Sequence, residues 1–390
     1  MIYDKVLLAM DRVALAQVMN RPVVVIASLT VLAVVGFAGV TRLANRFGEQ
    51  QKALARHLYE QGLTEQQAGK PELALEHFRA ALSYSHDNFQ YQLSLARVLR
   101  DTGRTSEAET YLVNLWERSP QDGAVNLALG RLSAREDLLD KTIQYYHNAI
   151  YGVWPSNSDE HRLKAWFELV EFLLRQNARP QAQAELITLS AELPHRPDAQ
   201  LRVADLFIQA QDYPHALIEY QHVLQIDHGN PQALAGAGTA AFNLARYRTA
   251  ARYLEADVDA NPQDTQSAQM LQMSKLVLDE DPFGRGISTS ERIHRIRSIF
   301  EQVGKRLDAC LNWSASASAD TNLTTVPQLK IRWKEMKTKL ARLGMRGESG
   351  LADDVMDLVL QIEQQTASCG TTPQDRVLLL LAQNRAGVEQ

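Results

Sequence analysis

Ten histidines and two cysteines are the side chains of this 390-residue sequence that would most readily do metal or nucleophile chemistry, and neither set forms a motif. His215 and His222 stand seven positions apart and could share one helix face, but no third donor accompanies them; a zinc site takes three or four protein ligands. Cys310 and Cys369 have no metal-ligand spacing. They either pair in an oxidising compartment or stay as two buried thiols, the plainer expectation. The acids Asp279-Glu280-Asp281 look like half a calcium loop without its alternating oxygens or closing glutamate, and read as a solvated linker. No phosphate-cradling glycine loop, zinc-protease helix or nucleophile elbow is present. The residues predict no catalytic centre, no cofactor and no metal.

A chain without chemistry of its own must act by shape, and here the shape is written as a repeat. Ala74, Ala108, Thr142, Ala182, Ala216 and Ala250 follow one another at steps of 34, 34, 40, 34 and 34 residues. Four positions after each stands a large apolar residue: Phe78, Leu112, Tyr146, Leu186, Tyr220 and Leu254. Twelve positions before each stand Gly62, Ala96, Gly130, Val170, Ala204 and Gly238, small in every case but Val170. Pro120, Pro194 and Pro262 fall twelve positions after three members of the first set. A fixed period of this length, alternating small with large side chains, marks a helical solenoid. Small residues let paired helices approach, large ones fill the space beside them, and proline ends the second helix.

The pattern resembles the tetratricopeptide repeat (TPR). Leu58, Gly62, Ala74, Phe78 and Ala81 make one clean unit; Leu234, Ala237, Gly238, Ala250, Leu254 and Pro262 make another, and Trp166 takes the family's first aromatic position. Thr142 departs from the first alanine, and Leu115, Leu189, Val223 and Asp257 depart from the second. The resemblance implies an all-α fold: a right-handed superhelical solenoid of about six TPR helix pairs, near 55–88, 89–122, 123–160, 163–196, 197–230 and 231–264. It also implies a binding surface rather than an enzyme. In the family the first helix of each pair lines a concave groove. Carrying that register over places Arg97, Arg100, Arg131, Arg135, Lys164 and Arg175 there, with Tyr59, Phe167 and Phe242 interleaved. Guanidinium pairs grip carboxylates through two hydrogen bonds, so the expected ligand is an acidic segment or a free carboxyl terminus of another protein. Glu168, Glu171 and Asp205 lie in the same region and compete for that charge, and Arg97 and Arg131 stand where the family has its carboxylate-clamp asparagine.

The elements around the repeats set where such a surface would work. Pro22 to Val40 is an unbroken apolar run without a charge, bounded by Arg21 and by Arg42 and Arg46. At ~1.5 Å per residue it covers roughly 28 Å, the thickness of a bilayer's hydrocarbon core, so residues 22–41 are expected to be one retained transmembrane helix. It exceeds the usual core of a cleaved signal. Residues 1–21, with Val6, Leu7, Met10, Val13, Ala14 and Val18 on one side, read either as an amphipathic helix at an interface or as a lead-in to the span. Lysines and arginines are nearly balanced across the span, so charge does not orient it. Proteins of this layout resemble single-pass proteins of the bacterial inner membrane, which implies a soluble part in the periplasm.

No proline or glycine cluster separates the span from the first repeat, and the helix is expected to run on. The six extra residues between the third and fourth units, Val153 to Ser158, form a loop in which Trp154 is either a partner's anchor or, more plainly, the cap of its own core. A helix over 265–278 closes a solenoid spanning 55–278. Ser288 and Glu291 form a capping box opening a basic amphipathic helix to about Leu311, a face for lipid head groups or simply for water. Trp313 to Asn322 reads as a loop, and three further helices near 326–344, 350–366 and 373–386 complete a module over 284–390.

Composition agrees: 45% apolar and 22% charged residues are those of a folded chain, and a net charge of −5 gives no reason to expect nucleic acid. The expected role is a membrane-anchored, non-catalytic scaffold for other proteins, without a small-molecule substrate. The alternatives are a structural subunit of a larger membrane assembly, or an accessory subunit of an envelope biogenesis or export complex, such as one handling polysaccharide.

Overall fold

The computed structural model describes residues 21–193, 196–284, 286–316, 326–343, 349–366, 369 and 375–381. The amphipathic segment expected over residues 1–21 lies outside these but for its last residue, as do Pro194 and the proline at 373. Among the described residues the chain is α-helical, with a single isolated β-bridge. It divides into two compact units, residues 1–169 and 170–390.

The first unit opens with α1 (Arg21–Gln67), which runs unbroken from the apolar run into the first repeat. It is the one helix, among the described residues, long and apolar enough to cross a membrane. α2 (Pro71–Tyr84), α3 (Phe89–Asp101), α4 (Thr105–Arg118), α5 (Gly123–Arg135), α6 (Leu139–Ile150) and α7 (Ser158–Arg175, which crosses into the second unit) follow. Each helix up to α6 packs on the next, and α3 also touches α5, so first helices of neighbouring pairs stand side by side. The core holds the residues that the periodicity selects: Ala74, Phe78, Ala81, Ala96, Ala108, Leu112 and Leu115 are buried. The small position matters physically. A Cβ on Gly62 would stand 2.5 Å from the Phe78 ring, so only glycine lets α1 and α2 close to this distance.

Every first helix ends the same way. Gly69, Gly103, Asp137, Asn177, Gln211 and Ala245 all have φ between 55° and 81°, the left-handed residue that reverses the chain between paired helices. Several first helices also begin alike: Asn88, Asp122, Asn230 and Asp264 each accept a hydrogen bond from a backbone N–H three residues on, at 2.9–3.1 Å.

The second unit continues with α8 (Arg179–Glu192), α9 (Pro197–Gln209), α10 (Tyr213–Ile226), α11 (Pro231–Asn243), α12 (Tyr247–Ala260) and α13 (Thr265–Glu280). α14 (Thr289–Ser316), α15 (Val326–Leu343) and α16 (Ser349–Gln365) then form a bundle with the helical residues 375–381. Ser288 caps α14 by accepting from the Glu291 N–H at 3.1 Å, but Glu291 turns to Arg295 instead of closing the box. α14 runs five residues past Leu311, the expected end, and Leu311 itself packs against the bundle core. One apolar cluster joins this bundle to the last repeat: Tyr247 and Val277 pack with Ile296, Phe300, Trp333, Val355 and Val359. The acidic stretch read as a linker is helical through Glu280. Cys310 and Cys369 form a disulfide with their Cα atoms 5.3 Å apart, which corrects the expectation of two thiols.

Candidate functional site

The face lined by first helices in the first unit carries the predicted cations, and the structure separates them into engaged and unengaged. Arg131, on α5, is fully engaged: its Nε and Nη2 donate to Glu168 on α7 at 2.7 and 2.6 Å, a two-pronged pair of which about a quarter of each side chain is exposed. The Tyr146 hydroxyl donates to the same carboxylate at 3.2 Å. Burial alone raises the Glu168 carboxyl, but the Arg131 bond and charge outweigh it and hold its pKa below the ordinary value. The expectation of Arg131 as a free cation for a ligand is therefore corrected; the i+37 acid reaches it because α5 and α7 are neighbouring first helices.

Arg100 donates to Asp101 at 3.0 and 2.6 Å, while its Nη1 is buried without a partner. Arg135 reaches back and donates to the Arg100 carbonyl. Arg97 is different. It is half-buried one turn before Arg100, and no hydrogen bond or ion pair engages it among the described residues. Burial first, then the neighbouring Arg131 and Arg100 charges, lowers its pKa from the ordinary value. A guanidinium among cations, with its donors unspent, is a place where an incoming anion is stabilised. Lys164 is exposed one turn before Glu168 on α7 and adds to the positive field there.

The interleaved aromatic residues do less than predicted. Phe167 is buried at 4% exposure and faces the core, because its neighbour Glu168 holds the open side of α7. Tyr59 stacks on Tyr91 at 4.5 Å and shares a hydrogen bond of 3.0 Å with Ser94, one turn from Arg97. Arg175 and Phe242 belong to the second unit. Arg175 is exposed beside Glu171, Asn177 and Gln209; Phe242 packs edge-on against Tyr247 and joins the bundle core. On that unit's own face, Arg202 pairs with Glu171 at 2.6 Å, and Asp205 accepts from Tyr220 at 2.6 Å and Gln232 at 2.7 Å. Glu168 and Glu171 thus take up cationic charge, as their positions imply, whereas Asp205 accepts from the neutral Tyr220 and Gln232. Asp101 and Tyr146 went unread: Asp101 holds the arginine next to it in sequence, and Tyr146 reaches Glu168 only through the packing.

The other chemistry candidates resolve as structure. His215 pairs with Asp212 at 2.8 Å and His222 with Glu219 at 3.5 Å, two separate couples. Among the described residues no three ligating side chains gather for a metal. Trp154 lies against Gly123, stacks on His161 at 4.5 Å and donates to the Ala149 carbonyl at 2.9 Å, which makes it a cap of its own core.

Residues 65–132 match a family model described as tetratricopeptide repeat. No curated protein matches the chain in sequence. Among solved structures, pilF of Pseudomonas aeruginosa is 19% identical, covering 57% of this chain and 98% of its own at a TM-score of 0.39. PilW, described as a type IV pilus biogenesis factor, is 16% identical over 56% of this chain and 98% of its own, TM-score 0.39. The C-terminal part of a TPR repeat-containing protein from Cytophaga hutchinsonii is 15% identical over 60% and 95%, TM-score 0.45. At such scores these likenesses carry nothing about partners or place. The tetratricopeptide-repeat match covers residues 65–132, and small-against-large contacts of the same kind recur beyond its core, at Gly130 against Tyr146 and at Gly238 against Leu254.

Proposed function

We propose that the chain is a membrane-anchored scaffold that binds another protein, non-catalytically, through the first-helix face of its first unit. An acidic segment or carboxyl terminus of the partner is received at Arg97 and Arg100. The unengaged, half-buried Arg97 guanidinium carries this reading; Arg131, committed to Glu168, shapes the site instead of binding. The anchor is residues 22–41. The exported side of the membrane is favoured by the Cys310–Cys369 disulfide, since disulfides persist in oxidising compartments. A second reading, a structural or accessory subunit of an envelope assembly, draws on the exposed Ile331 of α15 and the exposed basic residues Lys334 and Lys339 of the same helix.

The test is photo-cross-linking of partners in native membranes with full-length protein, comparing the parent chain with Arg97→Glu and with a Lys334→Glu control. Loss of the same cross-linked product only in Arg97→Glu, with helicity intact, is the expected result. Equal capture by all three overturns the groove reading, and loss only in Lys334→Glu moves the contact to the bundle. Protease accessibility from outside intact cells, with a reductant-dependent mobility shift, checks the placement.

A further inference from the structure

α1 carries an apolar stripe that nothing among the described residues covers. At 3.6 residues per turn, positions separated alternately by three and four fall on one side of a helix. Beyond the apolar run, Val40, Leu43, Phe47, Gln50 and Leu54 keep this spacing, and Leu43, Phe47 and Leu54 are 71%, 61% and 42% exposed. Within the run, Ile26, Leu29, Ala33 and Gly36 continue the same phase, with Ile26 63% and Leu29 61% exposed. The stripe therefore spans four heptads without a charged residue. Every charge nearby is elsewhere: Arg42, Glu49, Lys52 and Arg56 project from the opposite side, where Lys52 and Glu49 pair at 3.1 Å, and Arg46 only flanks the stripe. Lipid can cover the part inside a bilayer. Leu54 stands 14 residues past Val40, roughly 21 Å along the helix, beyond the headgroup layer.

We infer that a second copy of this chain covers the stripe, α1 pairing in parallel with α1. Parallel pairing of identical helices sets each residue against its own counterpart, so a charged stripe would repel itself while this one does not. Ala33 and Gly36 let the two backbones approach inside the bilayer, and Gln50 can bond to its own copy outside it, which favours one register. A bilayer holds both copies at one depth, and that part of the inference rests on residues 22–41 spanning the membrane. A paired stalk would present two first-helix faces per assembly.

The experiment is disulfide cross-linking of single cysteines in the full-length protein in native membranes, with Cys310 and Cys369 already joined to each other. Leu43→Cys, Phe47→Cys and Leu54→Cys are compared with Asn45→Cys and Lys52→Cys on the far side. The dimer yield is expected to be about fivefold or more higher at the three stripe positions. Equal or absent yields across all five, with a monomeric size in mild detergent, overturn the pairing. A product of other mass at the stripe positions overturns the second copy as its occupant. Carbonate extraction of the same variants keeps the membrane reading separate: release into the soluble fraction refutes the span, whatever the cross-linking pattern.

Discussion

Ala245 and Gln211 show what a single residue contributes here. Both adopt the left-handed turn conformation, at φ 55° and 60°, where the equivalent positions Gly69 and Gly103 pay no steric penalty. An L side chain in that region costs roughly 1–2 kcal/mol, and glycine returns about 0.5–1 kcal/mol of that as lost unfolded-state restriction. Ala245→Gly is therefore expected to stabilise the second unit by about 0.5–1 kcal/mol, read as a higher midpoint in urea with unchanged slope. Under the proposed function Arg97 is the opposite case, a half-buried cation retained for binding. Replacing it by Leu should leave or raise stability while abolishing the capture of an acidic partner, whereas Arg131→Leu should destabilise, because it strands Glu168 half-buried without its cation.

At the scale of elements, two devices set each helix pair: a capped start and a small-against-large contact. The contact between Gly62 and Phe78 brings together the helix that leaves the apolar run and the first that packs on it. Gly62→Ala forces the fully buried Phe78 ring to move, and overpacking of this kind costs about 1–3 kcal/mol. Hydrogen exchange should show the loss concentrated in α1 and α2, with α5 and α6 protected as before, since a repeat leans mainly on its neighbours. Uniform loss along the first unit would contradict this. The periodicity alone located all six pairs. The turn residues at 69, 103, 137, 177, 211 and 245 share the same period, yet four of them are not glycine, so composition concealed what the backbone repeats.

At the scale of the whole molecule, the second unit owes its end to a buried polar cluster. Arg306 bonds Asp375 at 2.6 Å and Thr366 at 2.7 Å, and lies 3.3 Å from Glu363, whose carboxylate oxygens are buried without hydrogen bonds. Burial raises the Glu363 carboxyl; Arg306 opposes the rise and Asp375 adds to it, leaving it up at about 7. A folded-state pKa above the unfolded one means that the folded unit binds this proton more tightly. Its contribution to stability is therefore full below the ordinary 4.5 and is lost as pH rises through about 7. The melting midpoint of the bundle should fall across that window, and Glu363→Gln should flatten the fall. An unchanged slope in the variant would show that another group is responsible.

The sequence by itself determined the repeat, its period, the small and large positions of each pair, the uncharged apolar run and the absence of a catalytic motif. All of these are local or periodic: a side chain's size at a fixed spacing decides how two adjacent helices meet, whatever lies further along. Tertiary structure alone decided which arginines are engaged. Arg131 and Arg97 are alike in register and type, but Arg131 pairs with Glu168, 37 residues away, while Arg97 makes no ion pair among the described residues, Asp122 acting on it only at a distance. It also decided that Cys310 and Cys369, 59 residues apart, meet, and that Phe167 faces inward. Such pairings depend on where the chain returns in space, which spacing along it does not encode.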